Sequence, residues 1–127
     1  MALFVSPLMR RLCLACAVLM VFLLFYLGAK PIAVDLFPEP WDKLAHFVAY
    51  GTIAGLLALG VAERSSTSLI LLVSLVGALD EWHQVYLPGR SSDVTDFITD
   101  VVAAIVAVTL VDWLRLRGLV GEARCRS

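Results

Sequence analysis

Four stretches of this chain are each long and apolar enough to cross a bilayer, and this limits the fold more than any other feature. A hydrocarbon core needs about 20 apolar residues of helix. The runs Leu12 to Ala29, Leu44 to Ala62, Ser68 to Leu87 and Val94 to Leu114 meet that requirement. Inside the hydrocarbon no water satisfies backbone N–H and C=O groups, so such runs must be helical. A mean hydropathy of +0.90 excludes an ordinary soluble domain. At 127 residues there is room for one domain, residues 1–127, and no separate soluble module. The expected fold is all-α: an integral membrane bundle of four transmembrane helices.

The first run follows Arg10 and Arg11, as a signal peptide would. It is long for a signal sequence and three more spans follow, so a retained helix is expected. Cys16 lacks a lipobox before it, which argues against lipoprotein processing. The three cysteines, Cys13, Cys16 and Cys125, form no metal or disulfide pattern. A net charge of -1 gives no global basic field for nucleic acid.

Lys and Arg placement sets orientation. Arg10, Arg11, Arg64, Arg115, Arg117, Arg124 and Arg126, seven of the ten basic residues, fall at the termini and in the short loop at Glu63-Arg64. Lys30, Lys43 and Arg90 fall on the other side. Both termini are therefore expected inside (N-in/C-in), with the loops Lys30 to Lys43 and Pro88 to Asp93 outside. Trp41, Trp82 and Tyr86 fit an outer aromatic belt and Trp113 an inner one.

The polar residues then gather at the outer end. Asp42, Lys43, His46 and Tyr50 open the second helix; Asp80, Glu81, His83 and Gln84 close the third; Arg90 sits in the turn; Asp96 and Asp100 open the fourth. Lys43, His46 and Tyr50 share a helix face by their i, i+3, i+7 spacing. Asp80, His83 and Gln84 fall on one side of the third helix, with Glu81 displaced from it. Asp96 and Asp100 are one turn apart, and Ala103 and Ala107 continue their stripe. Gly51 and Gly55 form a Gly-x-x-x-Gly pair suited to close helix packing. Pro88-Gly89 is a turn signal that ends the third helix and presents Arg90.

Ionisable groups beside hydrocarbon are costly and are usually kept for a function. Four uses stay open here. His46 or His83 with a carboxylate such as Asp80 or Glu81 could do general acid–base chemistry. Lys43 and Arg90 could hold a lipid phosphate among Asp42, Tyr50, Gln84, Asp96 and Asp100. A divalent metal could sit among the acids and histidines, but the spacing matches no standard motif, so neither metal nor cofactor is expected. The cluster could also be a structural network tying helix ends together.

These residues carry a resemblance. Asp42, Lys43, His46, Phe47 and Tyr50 match Asp-Lys-x-x-His-Phe-x-x-Tyr. Asp80, Glu81, Gln84, Pro88, Gly89 and Arg90 match Asp-Glu-x-x-Gln-x-x-x-Pro-Gly-Arg. Asp96 begins a third motif, Asp-x-x-x-Asn-x-x-Gly, in which Asp100 replaces the usual Asn and Ala103 the usual Gly. Over residues 41–108 the chain resembles the VanZ-like family of small bacterial membrane proteins. The resemblance implies a multi-pass protein of the bacterial inner (cytoplasmic) membrane, with a family link to glycopeptide resistance, mainly to teicoplanin. Some members carry a phosphotransbutyrylase label, and no reaction is established for the family as a whole.

The functional expectation is recognition or modification of an amphiphile at the outer face, such as a lipid-linked cell-envelope precursor. The competing expectation is a non-catalytic accessory or lipid-binding subunit with a structural polar cluster, alone or as a homo-oligomer. A transporter is less attractive, because the polar residues do not continue through the cytoplasmic half. Whether the chain is an enzyme is left open by the sequence.

Overall fold

The computed structural model describes residues 3–33, 36–38, 40–62, 64–90 and 92–122. Glu63, Arg124, Cys125 and Arg126, used above, lie outside the described residues. Four helices make up almost all of the fold: α1 (Pro7–Gly28), α2 (Trp41–Gly60), α3 (Ser66–Gln84) and α4 (Val94–Leu116). Two short strands, β1 (Leu3–Val5) and β2 (Val120–Glu122), pair in parallel with Leu3 opposite Val120. This pairing brings the two ends of the chain to the same end of the bundle. The strands were not anticipated, since three residues each are too few to show a period.

The starts of α1 and α3 lie earlier than hydropathy alone suggests, because local chemistry extends the helices. Ser6 caps α1, accepting from the Met9 N–H at 3.2 Å, and Pro7 occupies the first turn, where a missing N–H costs nothing. Ser65 caps α3 by accepting from the Ser68 N–H. Asp93 caps α4 by accepting from the Thr95 N–H at 2.8 Å. At the other end of α4, Gly118 takes the positive φ that terminates a helix. Hydroxyls that would face hydrocarbon turn back onto their own helix: Thr52, Ser74, Thr99 and Thr109 each donate to the carbonyl four residues earlier.

Among the described residues, α1, α2 and α4 are long and apolar enough to cross a membrane. α3 is not one of them. Its 19 residues end on Asp80, Glu81, His83 and Gln84, and that polar turn lowers its mean hydropathy. The fourth expected span is thus a helix of the bundle whose crossing is not established by length and composition.

α2 and α4 form the centre. Tyr50, Ile53, Ala54 and Ala58 pack on Ala103, Ala104, Val108 and Val111, with Leu69 and Val73 from α3 completing the core. Small residues allow that closeness: a Cβ at Gly51 would stand 3.8 Å from the Ala103 Cβ. A methyl at Gly51 would therefore make only ordinary van der Waals contact, and the Ala at 103 is accommodated with room to spare. Gly55, expected to share this role, meets nothing within 4 Å. α1 buries one residue, Ala17, and turns Leu12, Val18, Leu19 and Phe22 outward, the arrangement expected of a lipid-facing helix.

The end of the bundle near the termini is closed by arginines. Arg10 Nε donates to the Gly60 carbonyl at 3.3 Å, Arg64 Nε to Ala58 at 3.2 Å, and Arg115 Nη2 to Ala58 at 2.8 Å. These are carbonyls of the last turn of α2, which has no helical partner of its own for them. Arg64 also pairs with Asp112, which accepts from Ser66.

Candidate functional site

At the opposite end, the start of α2, the end of α3 and the start of α4 meet around a cavity of about 560 Å³. α1 contributes Leu24 and Leu27 to its wall, and the connection to α2 contributes Leu36, Phe37 and Pro38. Its polar lining is Asp42, His46, Tyr50, Asp80, Gln84, Arg90, Asp93 and Asp96, with small residues such as Ala45 and Ala49 between them.

The three sequence motifs do converge. Lys43 Nζ lies 3.2 Å from Asp42, 3.4 Å from Asp93 and 3.4 Å from Asp96. His46 Nδ1 is 3.0 Å from Asp100 Oδ1, and its Nε2 is 3.9 Å from Asp96 Oδ2. The His46 and Tyr50 rings stack with centroids 5.9 Å apart. Tyr50, fully buried, donates its hydroxyl to Asp80 Oδ2 at 3.1 Å, and Gln84 Nε2 donates to the same oxygen at 3.3 Å. The shared face expected of Lys43, His46 and Tyr50 therefore reads successive carboxylates along α4 and α3.

Two placements on α3 differ from the sequence reading. Glu81 is inside: its Oε2 accepts from the Ser92 hydroxyl at 3.0 Å and the Asp93 N–H at 2.8 Å. His83, expected beside Asp80 and Gln84, instead sets its ring against Phe25 of α1, with centroids 5.5 Å apart. The inward stripe of α3 is Gly77, Asp80, Glu81 and Gln84, an i, i+3, i+4, i+7 set, and His83 falls on the flank facing α1. Gly77 belongs to the site because a Cβ there would stand 2.9 Å from Asp100 Oδ2.

The two cations also separate. Lys43 is held among three carboxylates and is not part of the cavity wall, so it organises acids. Arg90 lines the cavity, and its Nη1 donates to the Ala33 carbonyl at 2.8 Å, drawing the α1–α2 connection over the site. The preceding Gly89 takes a φ of 76°, which turns the chain after Pro88 and sets Arg90 there.

Asp93 and Ser92 were missed. Asp93 caps α4, orients Glu81 through its N–H and reaches Lys43 with its carboxylate. Its place before Val-Thr-Asp at a helix start is an N-cap signature that could have revealed it. Its hydrogen bonds from Thr95, joined by Lys43, hold its carboxyl below the usual carboxylate range.

The site is rich in buried acid. Asp80, Glu81, Asp96 and Asp100 are each at most 7 % exposed. Asp42 Oδ1, Glu81 Oε1, Asp96 Oδ1 and Asp100 Oδ2 are buried without a hydrogen-bond partner among the described residues, although Asp96 Oδ1 has Lys43 at 3.4 Å. An orphaned carboxylate oxygen costs stability that a purely structural network would avoid. The arrangement can hold a cationic or hydrogen-bonding group among the acids, an anion at Arg90, and a hydrocarbon chain on the apolar wall.

A model of the VanZ/LLP1 family matches residues 12–115 of this chain. The chain belongs to that family, and all three motif-bearing helix ends lie inside the match. Searches of curated proteins and of solved structures gave no significant match.

Proposed function

We propose that this VanZ/LLP1 membrane protein recognises, and in the fuller form of the reading modifies, an amphiphile with an anionic head group. The observation that carries this is the mixed lining of the cavity, in which leucine, phenylalanine and proline share the wall with Arg90 and carboxylates. A long-chain lipid phosphate has that chemistry, and the guanidinium of Arg90 suits bidentate contact with phosphate oxygens. Asp80, with His46 beside it, would take or return a proton at the head group. Tyr50 and Gln84 hold the Asp80 carboxylate in place, while Lys43 and Asp100 hold Asp96 and His46.

The proposed setting is the bacterial cytoplasmic membrane, crossed four times, with both termini inside and the cavity at the outer face. The basic residues support it: Arg10, Arg11, Arg64, Arg115 and Arg117 cluster at the closed end, against Lys30, Lys43 and Arg90 near the cavity. A lipid-linked envelope precursor is the natural amphiphile there. It would connect this chain to the glycopeptide resistance implied by its family resemblance.

Native mass spectrometry of the purified chain against a panel of anionic envelope lipids tests the reading. Wild type is expected to retain a polyprenyl phosphate or long-chain phospholipid, and Arg90→Gln to lose it while staying folded. Equal retention by both proteins, or none by either, would remove the head-group reading in favour of a non-catalytic accessory subunit.

A further inference from the structure

Three side chains, His46 and Asp80 on the cavity wall and Glu81 next to Asp80 in the chain, share one arrangement: one polar atom is tied to the protein and the other makes no hydrogen bond among the described residues. His46 Nδ1 lies 3.0 Å from Asp100 Oδ1, and a carboxylate at that distance favours a proton on Nδ1, which makes Nε2 the ligating nitrogen of the neutral ring. Asp80 takes both of its hydrogen bonds, from Tyr50 and Gln84, on Oδ2, so Oδ1 is its open oxygen. Glu81 takes both of its own, from Ser92 and Asp93, on Oε2. Its Oε1 is buried with no hydrogen-bond partner among the described residues, on a side chain belonging to a residue only 6 % exposed. The three residues bring one ligand atom each to within 4.8 Å of one another.

Acids gathered together would not by themselves indicate an ion. Here Glu81, which carries a buried orphaned oxygen, comes within ligand reach of an imidazole whose Nδ1 is held by a carboxylate, the pairing that orients metal-bound histidines. Ligands of one ion at about 2.1 Å stand at most about 4.2 Å apart, so small side-chain rotations close the set. The surrounding charge agrees: Asp80, Glu81, Asp96 and Asp100 are buried, and Lys43 is already shared among Asp42, Asp93 and Asp96.

We propose that His46, Asp80 and Glu81 bind a divalent first-row cation. One imidazole and two carboxylates suit Mn2+ or Zn2+. Asp100 is a positioning residue that acts through His46. Asp96, with Oδ2 at 3.9 Å from His46 Nε2, stands at the edge of the site. The ion deepens the reading of the cavity, because it adds a second positive contact for a phosphate beside Arg90; that part rests on the head-group reading, and the ion site itself does not.

The test uses the full chain in detergent, stripped with chelator and titrated with Mn2+ under electron paramagnetic resonance, with Zn2+ as competitor. Wild type is expected to take up Mn2+ and release it to Zn2+, and its melting temperature to rise on loading. Asp80→Asn and Glu81→Gln should weaken binding by more than about tenfold, and Asp100→Asn by about tenfold with stoichiometry kept. Glu81→Gln retains an acceptor for Ser92 and Asp93, so it carries the test should another variant fail to fold. No uptake of either ion by folded wild type, or undiminished uptake by Asp80→Asn and Glu81→Gln, would overturn the site. Arg90→Gln should keep the ion while losing lipid. An ion bound without any lipid retained supports this site and removes the head-group reading; lipid retained with no ion does the reverse.

Discussion

The two ends of this bundle are both rich in charge, and they use it in opposite ways. At the closed end arginines predominate, and Arg10, Arg64 and Arg115 donate to carbonyls that the last turn of α2 leaves open. Asp112 there has both oxygens engaged, by Arg64 and Ser66. At the cavity end acids predominate: Asp42 Oδ1, Glu81 Oε1 and Asp100 Oδ2 are buried with no hydrogen-bond partner among the described residues, and Asp96 Oδ1 has only Lys43 at 3.4 Å. Charge that is matched inside the fold stabilises it. Charge left unmatched is a cost that persists only where something else uses it.

The sharpest way to break this comparison is to remove one acid from each end. Asp112→Ala leaves Arg64, whose side chain is 4 % exposed, without its counter-charge. It should destabilise the protein by about 3 kcal/mol, read as a lower melting temperature in detergent, with lipid retention per folded molecule unchanged. Glu81→Gln removes a crowded anion but keeps an acceptor for Ser92 and Asp93, so it should cost about 1 kcal/mol or less in the absence of ligand. Equal losses for the two variants would mean that the cavity acids are structural after all.

A smaller effect tests how tightly the cavity end is packed. Gly77→Ala sets a methyl 2.9 Å from Asp100 Oδ2 and 3.2 Å from its Cβ, which overpacks the α3–α4 contact. The expected cost is about 2 kcal/mol in thermal or denaturant unfolding. Pairing it with Asp100→Ala should recover part of that loss, because the two changes act on one contact. Strict additivity of the two single effects would place the strain elsewhere.

The smallest effect is one of pH. Asp93 has its folded pKa depressed, by Thr95 first and Lys43 next. A depressed carboxylate contributes stability above its unfolded pKa of about 3.9 and loses it as pH falls through the folded value. Unfolding followed from neutral pH down to strongly acidic pH should therefore show a shallower acid loss in Asp93→Asn than in wild type. Superimposable profiles would remove Asp93 from the acid response.

Much of the molecule was legible in the chain because its constraints are local. Apolar runs of about 20 residues force helices wherever no water can satisfy the backbone. The i, i+3, i+7 spacing of Lys43, His46 and Tyr50 put them on one face without reference to any neighbour. The motif residues likewise announced which helix ends would meet, and the family match spans them.

Tertiary structure decided what lies between helices. Glu81 and His83 are two residues apart, and which of them turns inward depends on the angle at which α3 meets α4 and α1. The packing chose Glu81 for the site and gave His83 to Phe25. Lys43 and Arg90 look alike as cations in the sequence, yet one is enclosed by three acids and the other lines the cavity. The strand pairing of the two ends has no signal in six residues separated by the whole fold. A ligand set drawn from His46 on α2 and from Asp80 and Glu81 on α3 leaves no spacing motif, because its members are neighbours only after two helices pack side by side. Helix formation is written residue by residue, whereas partner choice is set by which faces are pressed together, and that is known only once the bundle is assembled.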